Sequence, residues 1–393
     1  MRDETLLLHT DASELPFRAL TPAVHRASTI VFPTVAEFLS RHTQFYDGYS
    51  YGLYGHPASR SLAARIAALE EGARCLIVPS GMAAITVSNL ALLRPGDHVL
   101  LPDAVYGPAR AAAENFLATL GVSPTFYDPC IGAGIAALMQ PRTRLVWVES
   151  PASFTMEVQD LPAIAAAAHA HGALVAVDGT WASPIGFKAL RHGADIAIQA
   201  LSKHIGGHSD LLLGSITVAS EELFRCIKDA SRHLGLGASA DDCFLALRGL
   251  GTLTMRLERQ TAAALRIVKR LTCHPAIERI LYPPLIGDPG HELWARDFQG
   301  ACGVFSAILR PGGDGDLARF LEQLNLFRIG ASWGGLHSLV APVKLEGARR
   351  TKPWQQSANL VRFSIGLEHP EDLLADLEQG LARYSIDREV AAG

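Results

Sequence analysis

The sequence predicts an α/β protein built on a mostly parallel, doubly wound β-sheet. Apolar runs of strand length alternate with helical patterns between residues 59 and 250, which is typical of parallel sheets. Two of these runs end in a charged residue, Asp178 and Lys203. In α/β proteins, functional groups collect at the carboxyl ends of parallel strands. The pattern therefore predicts both the fold class and the sheet edge that carries the chemistry.

Composition narrows the classes of function. The 393 residues include 35 basic and 39 acidic side chains, so no basic surface for nucleic acid is expected. No apolar stretch reaches the ~18 residues of a membrane helix, and the acidic N-terminus is unlike a signal peptide. Six scattered cysteines without a CxxC pair indicate thiols in a reducing compartment and no metal site. We expect a cytoplasmic protein without nucleic-acid or membrane partners.

Residues 1–58 are predicted to form an irregular N-terminal arm. The segment 46–57 places four tyrosines among three glycines and a proline, and this composition disfavours both helix and central strand. A loop without any partner is one interpretation. Tyrosine, however, is an amphipathic anchor that is enriched at protein interfaces. We therefore expect the arm to pack on a neighbouring subunit.

Residues 59–250 are predicted to form the main α/β domain. Its first helix, 59–71, places Leu62, Ile66 and Leu69 on one face. A strand at 75–79 then passes through the turn Ser80-Gly81 into another helix, and the unpaired N–H groups of such a helix start can hold a phosphate. Further strands are expected at 97–101, 144–148, 173–177 and 196–200, with helices at 108–120 and 161–171.

Residues 251–393 are predicted to form a smaller α+β domain. A helical pattern over 241–271 bridges the two domains. Strands are expected at 303–309, 339–340 and 361–365, and a final helix at 370–384. The chain is thus expected to contain an arm, a large α/β domain and a smaller C-terminal domain.

Lys203 is the leading candidate for chemistry. It follows the apolar run 196–200, where burial would lower the pKa of its amine and make it a nucleophile or base near neutral pH. A solvated loop lysine is the alternative, and Asp178 at the end of a second strand argues against it. An amine, a carboxylate and an anion cradle are the groups that pyridoxal phosphate needs for its aldehyde, ring nitrogen and phosphate. The sequence therefore predicts this cofactor.

Nine short motifs, in order along nearly the whole chain, resemble those of the fold-type I pyridoxal-phosphate enzymes of cysteine and methionine metabolism. They occupy residues 51–57, 79–82, 96–99, 149–151, 178–181, 202–210, 248–250, 332–335 and 361–368. Within that family the chain looks most similar to the bacterial cystathionine β-lyases. The closer likeness is carried by residues 155–158, 290–298, 332–333 and 372–383. The resemblance implies the fold-type I transferase fold with an N-terminal arm and a C-terminal α+β domain.

The resemblance also implies roles around the cofactor. Lys203 would bond to the cofactor and then move the Cα proton of the substrate, and Asp178 would pair with the ring nitrogen. Tyr106 would stack on the ring and act as a further catalytic residue. The cofactor phosphate would be held by Gly81, Met82 and Ser202.

A second group of residues is implied at the substrate. Arg362 would clamp the α-carboxylate of an amino acid with its two-pronged guanidinium. Ser332 and Trp333 would line the substrate pocket. Tyr51 would reach cofactor and substrate from the partner subunit as a catalytic residue. A homodimer or homotetramer with active sites shared across the dimer interface is therefore implied.

The implied activity is carbon–sulfur β-elimination. L-Cystathionine, or a related S-substituted cysteine, would yield a thiol such as homocysteine together with pyruvate and ammonia, a transsulfuration step that precedes methionine. γ-Elimination, γ-replacement and amino-acid racemisation would use the same residues and stay open, as does a non-catalytic scaffold that has lost the cofactor. Two departures concern the substrate: Leu53 stands where relatives have a phosphate-binding arginine, and Ala331 where they have a larger residue.

Overall fold

Two sheets, of seven and five strands, organise the computed structural model of the chain, which describes residues 2–8, 20–312, 314–345, 349–351 and 359–384. One buried apolar cluster extends from the first sheet to the second. Residues 9–19 of the predicted arm lie outside the described residues. None of the helices in the described part of the chain combines the length and apolarity needed to span a bilayer.

The N-terminal segment is largely irregular and contains two short helices, α1 (Asp3–Leu8) and α2 (Val35–Ser40). Its tyrosine-rich part is held to its own chain. Arg60 donates to the carbonyl oxygen of Tyr46 over 2.8 Å, and Lys228 donates to that of Tyr54 over 2.7 Å. The base of the arm therefore packs on its own subunit, and contact of its exposed part with a neighbour stays a prediction.

The seven-stranded sheet has the order β1-β7-β6-β5-β4-β2-β3. Its strands are β1 (Arg74–Val78), β2 (His98–Pro102), β3 (Ser123–Tyr127), β4 (Thr143–Glu149), β5 (Leu174–Asp178), β6 (Ile196–Ala200) and β7 (Gly214–Val218). Only β7 runs against its two neighbours, while the strands from β3 to β6 are parallel. The mostly parallel sheet predicted from the sequence is confirmed.

Helices connect and cover these strands. They are α3 (Pro57–Glu70), α4 (Gly81–Leu92), α5 (Gly107–Ala111), α6 (Leu161–Ala170), α7 (Ser183–Gly186) and α8 (Glu221–His233). The predicted apolar face of α3 is confirmed, because Leu62, Ile66 and Leu69 are fully buried. The helix starts after His56, whose ring accepts from the N–H of Ser59, and such a cap fixes where the arm ends.

Three local predictions differ from the structure. Strand β3 was not anticipated, since its second residue is Pro124; an edge strand tolerates proline because one of its sides needs no donors. The helix expected over 108–120 changes at Ala112 to a wider helical turn and ends in a tight one at Leu120. The apolar run at residues 211–218 of the sequence predicts a further strand, but the chain enters the sheet only at Gly214.

The C-terminal part contains the five-stranded sheet, in the order β10-β11-β12-β9-β8. Its strands are β8 (Ile277–Leu281), β9 (Val304–Leu309), β10 (Arg328–Ile329), β11 (Leu339–Val343) and β12 (Leu360–Ser364). Its helices, with the preceding connection, are α9 (Ala240–Leu250), α10 (Leu253–Leu271), α11 (His291–Asp297), α12 (Asp314–Glu322) and α13 (Pro370–Leu381). The α+β character predicted for this part is present, although β8 and β10 were not anticipated.

The single bridging helix expected over 241–271 is wrong, because α9 and α10 are separate. A side chain at Gly249 would come within 2.6 Å of the carbonyl oxygen of Gly206, so the end of α9 lies directly against the loop that follows Lys203. Arg256, in the first turns of α10, donates to the carbonyl oxygens of Gly249 over 2.8 Å and His204 over 2.7 Å. The break thus ties α9 and α10 to the Lys203 loop.

Candidate active site

The parallel strands β4, β5 and β6 bring three functional side chains to one edge of the sheet. Glu149 and Asp178 are register partners at the ends of β4 and β5, and Asp178 pairs with Ile198 of β6. Lys203 follows β6 by one turn, in which its N–H donates to the carbonyl oxygen of Ala200 over 3.0 Å. The predicted meeting of lysine and aspartate at the strand ends is therefore present.

The amine of Lys203 is held at this edge by a hydrogen bond. Its Nζ donates to the Oγ of Ser332 over 2.7 Å and lies 5.4 Å from the centre of the Trp333 ring. Burial, and then the charge of Arg362, lower the pKa of Lys203 to about 8, while Asp178 opposes the shift. An amine with such a pKa exchanges protons readily near neutral pH.

Asp178 is a partly exposed carboxylate that accepts hydrogen bonds from one residue. One of its oxygens accepts from the backbone N–H and the hydroxyl of Thr180. Burial raises the pKa of Asp178, and the bonds from Thr180 and the charge of Lys203 act against that rise. A protonated ring nitrogen placed against this carboxylate would favour its charged form.

The start of a helix lies against the end of β6, close in sequence to Lys203, and offers unpaired N–H groups to an anion. Helix α4 begins at Gly81 and Met82 after Ser80, whose Oγ accepts from the N–H of Ala83 over 3.0 Å. A Cβ on Gly81 would lie 2.8 Å from the Cβ of Ala200, so the helix start touches the end of β6. Ser202 borders the same point and exchanges hydrogen bonds with the backbone of Leu213. The geometry fits a phosphate group.

Tyr106 is the first residue before α5, and its ring is 42% exposed. Its N–H donates to the carboxylate of Glu149 over 2.6 Å, which holds the loop that carries the ring. Burial and then the charges of Asp178 and Glu149 raise the pKa of the phenol. The ring therefore lies within the field of the strand-end carboxylates and stays neutral at ordinary pH.

Arg362, on β12, is a buried cation with an unused donor. Its Nη2 donates to the carbonyl oxygens of Ala331 over 2.9 Å and Ser332 over 3.2 Å, while its side chain is only 7% exposed. Its buried Nε has no partner among the described residues. Burial lowers the pKa of Arg362 to about 10. A buried guanidinium in this state suits a carboxylate ligand, which would supply the missing acceptor and charge.

The residues present therefore fit pyridoxal phosphate. A half-buried amine, a half-buried carboxylate and a helix start in contact with the strand before Lys203 supply the three kinds of partner that the cofactor requires. A model of the family described as "Cys/Met metabolism PLP-dependent enzyme" matches residues 4–382.

The chain belongs to this family. It is accordingly a pyridoxal-phosphate-dependent enzyme of cysteine and methionine metabolism. Its fold is that of the family, as the close agreement with a solved member shows: it superposes with a TM-score of 0.90 on cystathionine gamma synthase from Xanthomonas oryzae pv. oryzae, solved in complex with aminoacrylate and cysteine. That structure is 31% identical and the match covers 98% of both chains.

Two of the similar sequences have names that refer to different reactions. Cystathionine beta-lyase MetC of Escherichia coli is 37% identical over 372 residues, which cover 93% of this chain and 94% of the relative. L-Alanine/L-glutamate racemase of Wolbachia pipientis is 36% identical over 396 residues, which cover 98% of this chain and of the relative. The family of the chain is thus shown, while its relatives carry out different reactions on one frame.

The arm residue Tyr51 is not joined to the other site residues within one chain. Its ring is 44% exposed and meets the ring of Tyr54 edge-on at 5.7 Å. Leu53, two residues on, lies against Gly237, where a Cβ would be 3.0 Å from the leucine side chain. The contacts of Tyr51 within the described residues therefore do not join it to Lys203, and its part in the site stays a prediction.

Glu149 is a site residue that sequence reasoning placed in a motif without giving it a role. Besides Tyr106, its carboxylate accepts from the N–H of Ser153 over 2.8 Å and from the Ser153 hydroxyl. Burial and the nearby charge of Asp178 raise the pKa of Glu149 to about 8. The sequence feature that could have identified Glu149 is its position, because it ends a buried apolar strand as Asp178 does.

Proposed function

We propose that this enzyme is a carbon–sulfur β-lyase that cleaves L-cystathionine, or a related S-substituted cysteine, to a thiol, pyruvate and ammonia. The observation that carries the proposal is the Lys203 amine, which lies on the Ser332 hydroxyl and beside the ring of Trp333. If Lys203 acts as the base, it lies next to the two residues that the β-lyase likeness assigns to the substrate, and this supports the proposal. The E. coli relative, a cystathionine beta-lyase, supports the same reaction.

The chemistry divides between cofactor and protein. When bound, pyridoxal phosphate withdraws electrons from the Cα of the amino acid, so that Cα can lose a proton and Cβ can lose a thiolate. Lys203 would take the Cα proton, for which a pKa of about 8 is well suited. The Asp178 carboxylate would keep the ring nitrogen protonated. The Tyr106 ring would cover one face of the cofactor.

Binding of the substrate would rely on Arg362 and on the helix start. The unused Nε of Arg362 would bond to the α-carboxylate and fix the amino acid with its Cα toward Lys203. The cofactor phosphate would lie at Gly81 and Met82, beside Ser202. Trp333, whose ring is tilted against that of His204 at 5.2 Å, would form one wall for the side chain of the substrate.

A product assay tests the proposed reaction. Purified enzyme with pyridoxal phosphate is given L-cystathionine, L-cysteine S-conjugates and L-methionine, and pyruvate, 2-oxobutyrate and free thiol are measured separately. Pyruvate and thiol in equal amounts from L-cystathionine support β-elimination. 2-Oxobutyrate as the main product would contradict it and indicate γ-elimination.

Racemisation is a second candidate, favoured by the Wolbachia relative and by one feature of the pocket. Ala331 is exposed and contributes only its carbonyl oxygen to Arg362, so it leaves space where relatives have a larger side chain. A site that removes the Cα proton without a leaving group at Cβ can return it to either face. Formation of D-alanine from L-alanine, together with no pyruvate from L-cystathionine, would support the racemase and contradict the β-lyase.

We also propose a homodimer or homotetramer in the cytoplasm, with Tyr51 contributed to the partner's site. Exposed apolar side chains on the same arm support an interface, among them Val31, Val35 and Leu39. The division into residues 1–58, 59–250 and 251–393 is kept as part of this proposal. Sedimentation at several concentrations tests it, and a purely monomeric active enzyme would overturn the shared site.

A further inference from the structure

A second cavity lies away from Lys203, between the arm, α3, β1 and α8. It has a volume of about 520 Å³, within the usual range for small-molecule sites. Its apolar wall includes Leu53, Ala64 and Leu236. None of the residues assigned above to cofactor or substrate lines it. The family likeness therefore gives no account of this space.

The lining of the cavity is strongly cationic. Arg60, Arg74 and Lys228 face it, against the single carboxylate of Asp47. That carboxylate is already engaged, because Arg74 pairs with Asp47 over 2.7 Å and with Glu221 over 2.9 Å. The charges of Arg60 and Lys228 are thus not balanced from within the cavity.

Lys228 is a buried cation with a neutral partner only. Its side chain is 8% exposed, and its Nζ donates to the carbonyl oxygen of Tyr54 over 2.7 Å. Within the described ranges no carboxylate forms an ion pair with it. Burial, and then the charges of Arg60, Arg232 and Arg74, lower the pKa of Lys228 to about 8. The charge of Asp229 opposes this shift without outweighing it. A buried ammonium beside several like charges is costly unless a further anion joins it.

Arg60 has a similar surplus of donors. Its Nη1 donates to the carbonyl oxygen of Tyr46 over 2.8 Å and its Nη2 to that of Gly48, while its buried Nε has no partner among the described residues. Both cations therefore line one cavity, and the Nε of Arg60 has no acceptor among the described residues. An oxyanion between them would accept hydrogen bonds and remove their mutual repulsion.

We infer that this cavity is a binding site for a small oxyanion, a carboxylate or a phosphate, held by Lys228 and Arg60. The apolar wall allows the anion to carry a short aliphatic chain. Both cations also hold carbonyl groups of the arm on either side of Tyr51. Occupation of the cavity therefore stabilises the arm conformation that presents Tyr51, which makes the site a point of control separate from the chemistry.

Calorimetric titration of the cofactor-loaded enzyme tests the site without relying on activity. The probes are inorganic phosphate and pentanoate as sodium salts, each at constant ionic strength. Saturable binding of at least one probe is expected, and the probe that binds more tightly identifies the class of anion.

Lys228→Met removes the charge but keeps an unbranched side chain, so the affinity for the anion should fall by about tenfold or more. Lys269→Met, an equal change of charge on the exposed side of α10, should leave affinity unchanged.

A second variant keeps the test decisive if Lys228→Met does not fold. Ala64→Phe fills the cavity from an exposed helix position and leaves every cation in place, and it should also abolish binding. Affinity unchanged in both cavity variants, or no saturable binding to the parent, overturns the proposal. Loss of bound cofactor in Lys228→Met would also overturn it, since the cations would then serve the cofactor phosphate of a partner subunit. These results do not depend on which reaction the enzyme catalyses.

Discussion

The state of the Lys203 amine is decided by its immediate surroundings. Burial removes water from the charged form, and Arg362 repels it, so the pKa falls from that of an ordinary lysine to about 8. Both effects depend on which side chains meet in space. Sequence reasoning placed Lys203 at a strand end and expected a lowered pKa, but Arg362, 159 positions along the chain by its number, was not identified as a cause.

Cofactor loading should follow this pKa. Only the neutral amine attacks the cofactor aldehyde, so the rate at which cofactor-free enzyme takes up pyridoxal phosphate should rise about tenfold per pH unit below pH 8 and level off above it. Arg362→Leu removes a repelling cation, and its profile should move to higher pH. Stopped-flow absorbance measures both. Arg328→Leu, at an exposed position of β10, is the control, and equal profiles in all three proteins would disprove the coupling.

Asp178→Asn should slow turnover by about a hundredfold or more while cofactor remains bound. The amide oxygen can still accept from Thr180, so the local structure is retained, but it carries no charge to keep the ring nitrogen protonated. Steady-state rates and bound cofactor per subunit are measured together. Equal rates in the aspartate and asparagine forms at neutral pH would exclude the proposed role of Asp178.

At the scale of elements, the close approach of α4 to β6 matters most. The sequence Ser80-Gly81 predicted a strand–turn–helix phosphate cradle, and the contact of Gly81 with Ala200 gives the physical reason for the glycine. Sequence reasoning was less successful where an element's limits depend on packing. The break between α9 and α10, and the edge strand β3, are set by tertiary neighbours and not by local propensity.

Gly81→Ala should weaken cofactor binding. The new methyl group would lie 2.8 Å from the Cβ of Ala200, so the start of α4 must shift, at a cost of about 1–3 kcal/mol for such overpacking. Gly107→Ala is a matched control, since Gly107 also opens a helix beside the site and its methyl group would meet nothing within 4 Å. Fluorescence titration with pyridoxal phosphate gives both dissociation constants. The tight-contact interpretation fails if the two variants behave alike.

At the scale of the whole molecule, we propose from the exposed Tyr51 that one chain is not a complete catalyst. Subunits of Tyr51→Ala and Lys203→Ala, each expected to be almost inactive, should regain activity when mixed after dissociation and reassembly. In a hybrid dimer, one of the two sites combines an intact Tyr51 with an intact Lys203. Random pairing makes about half of the dimers hybrids, so about a quarter of the parent activity per subunit is expected. Activity is compared with that of each variant reassembled alone. Mixtures that stay inactive would show that Tyr51 acts within its own subunit.

The sequence by itself determined the fold class, the family and the principal chemical groups. Alternating strand and helix patterns are local, and motifs such as Ser202-Lys203 carry their identity in adjacent residues, so both can be read without coordinates. Charged residues at the ends of apolar runs were informative because burial of a charge is costly without a function. The same rule, applied to Glu149, would have added a second carboxyl group to the site.

Only the tertiary structure decided which distant side chains act on one another. The hydrogen bond from Lys203 to Ser332, the unused Nε of Arg362 and the cationic cavity at Lys228 each join segments that are far apart in the sequence. Their energies depend on distance and on exclusion of water, and neither quantity is encoded in residue spacing. For the same reason Leu53, which departs from its relatives in sequence, acquires a physical role only when it is found beside Gly237 and the cavity.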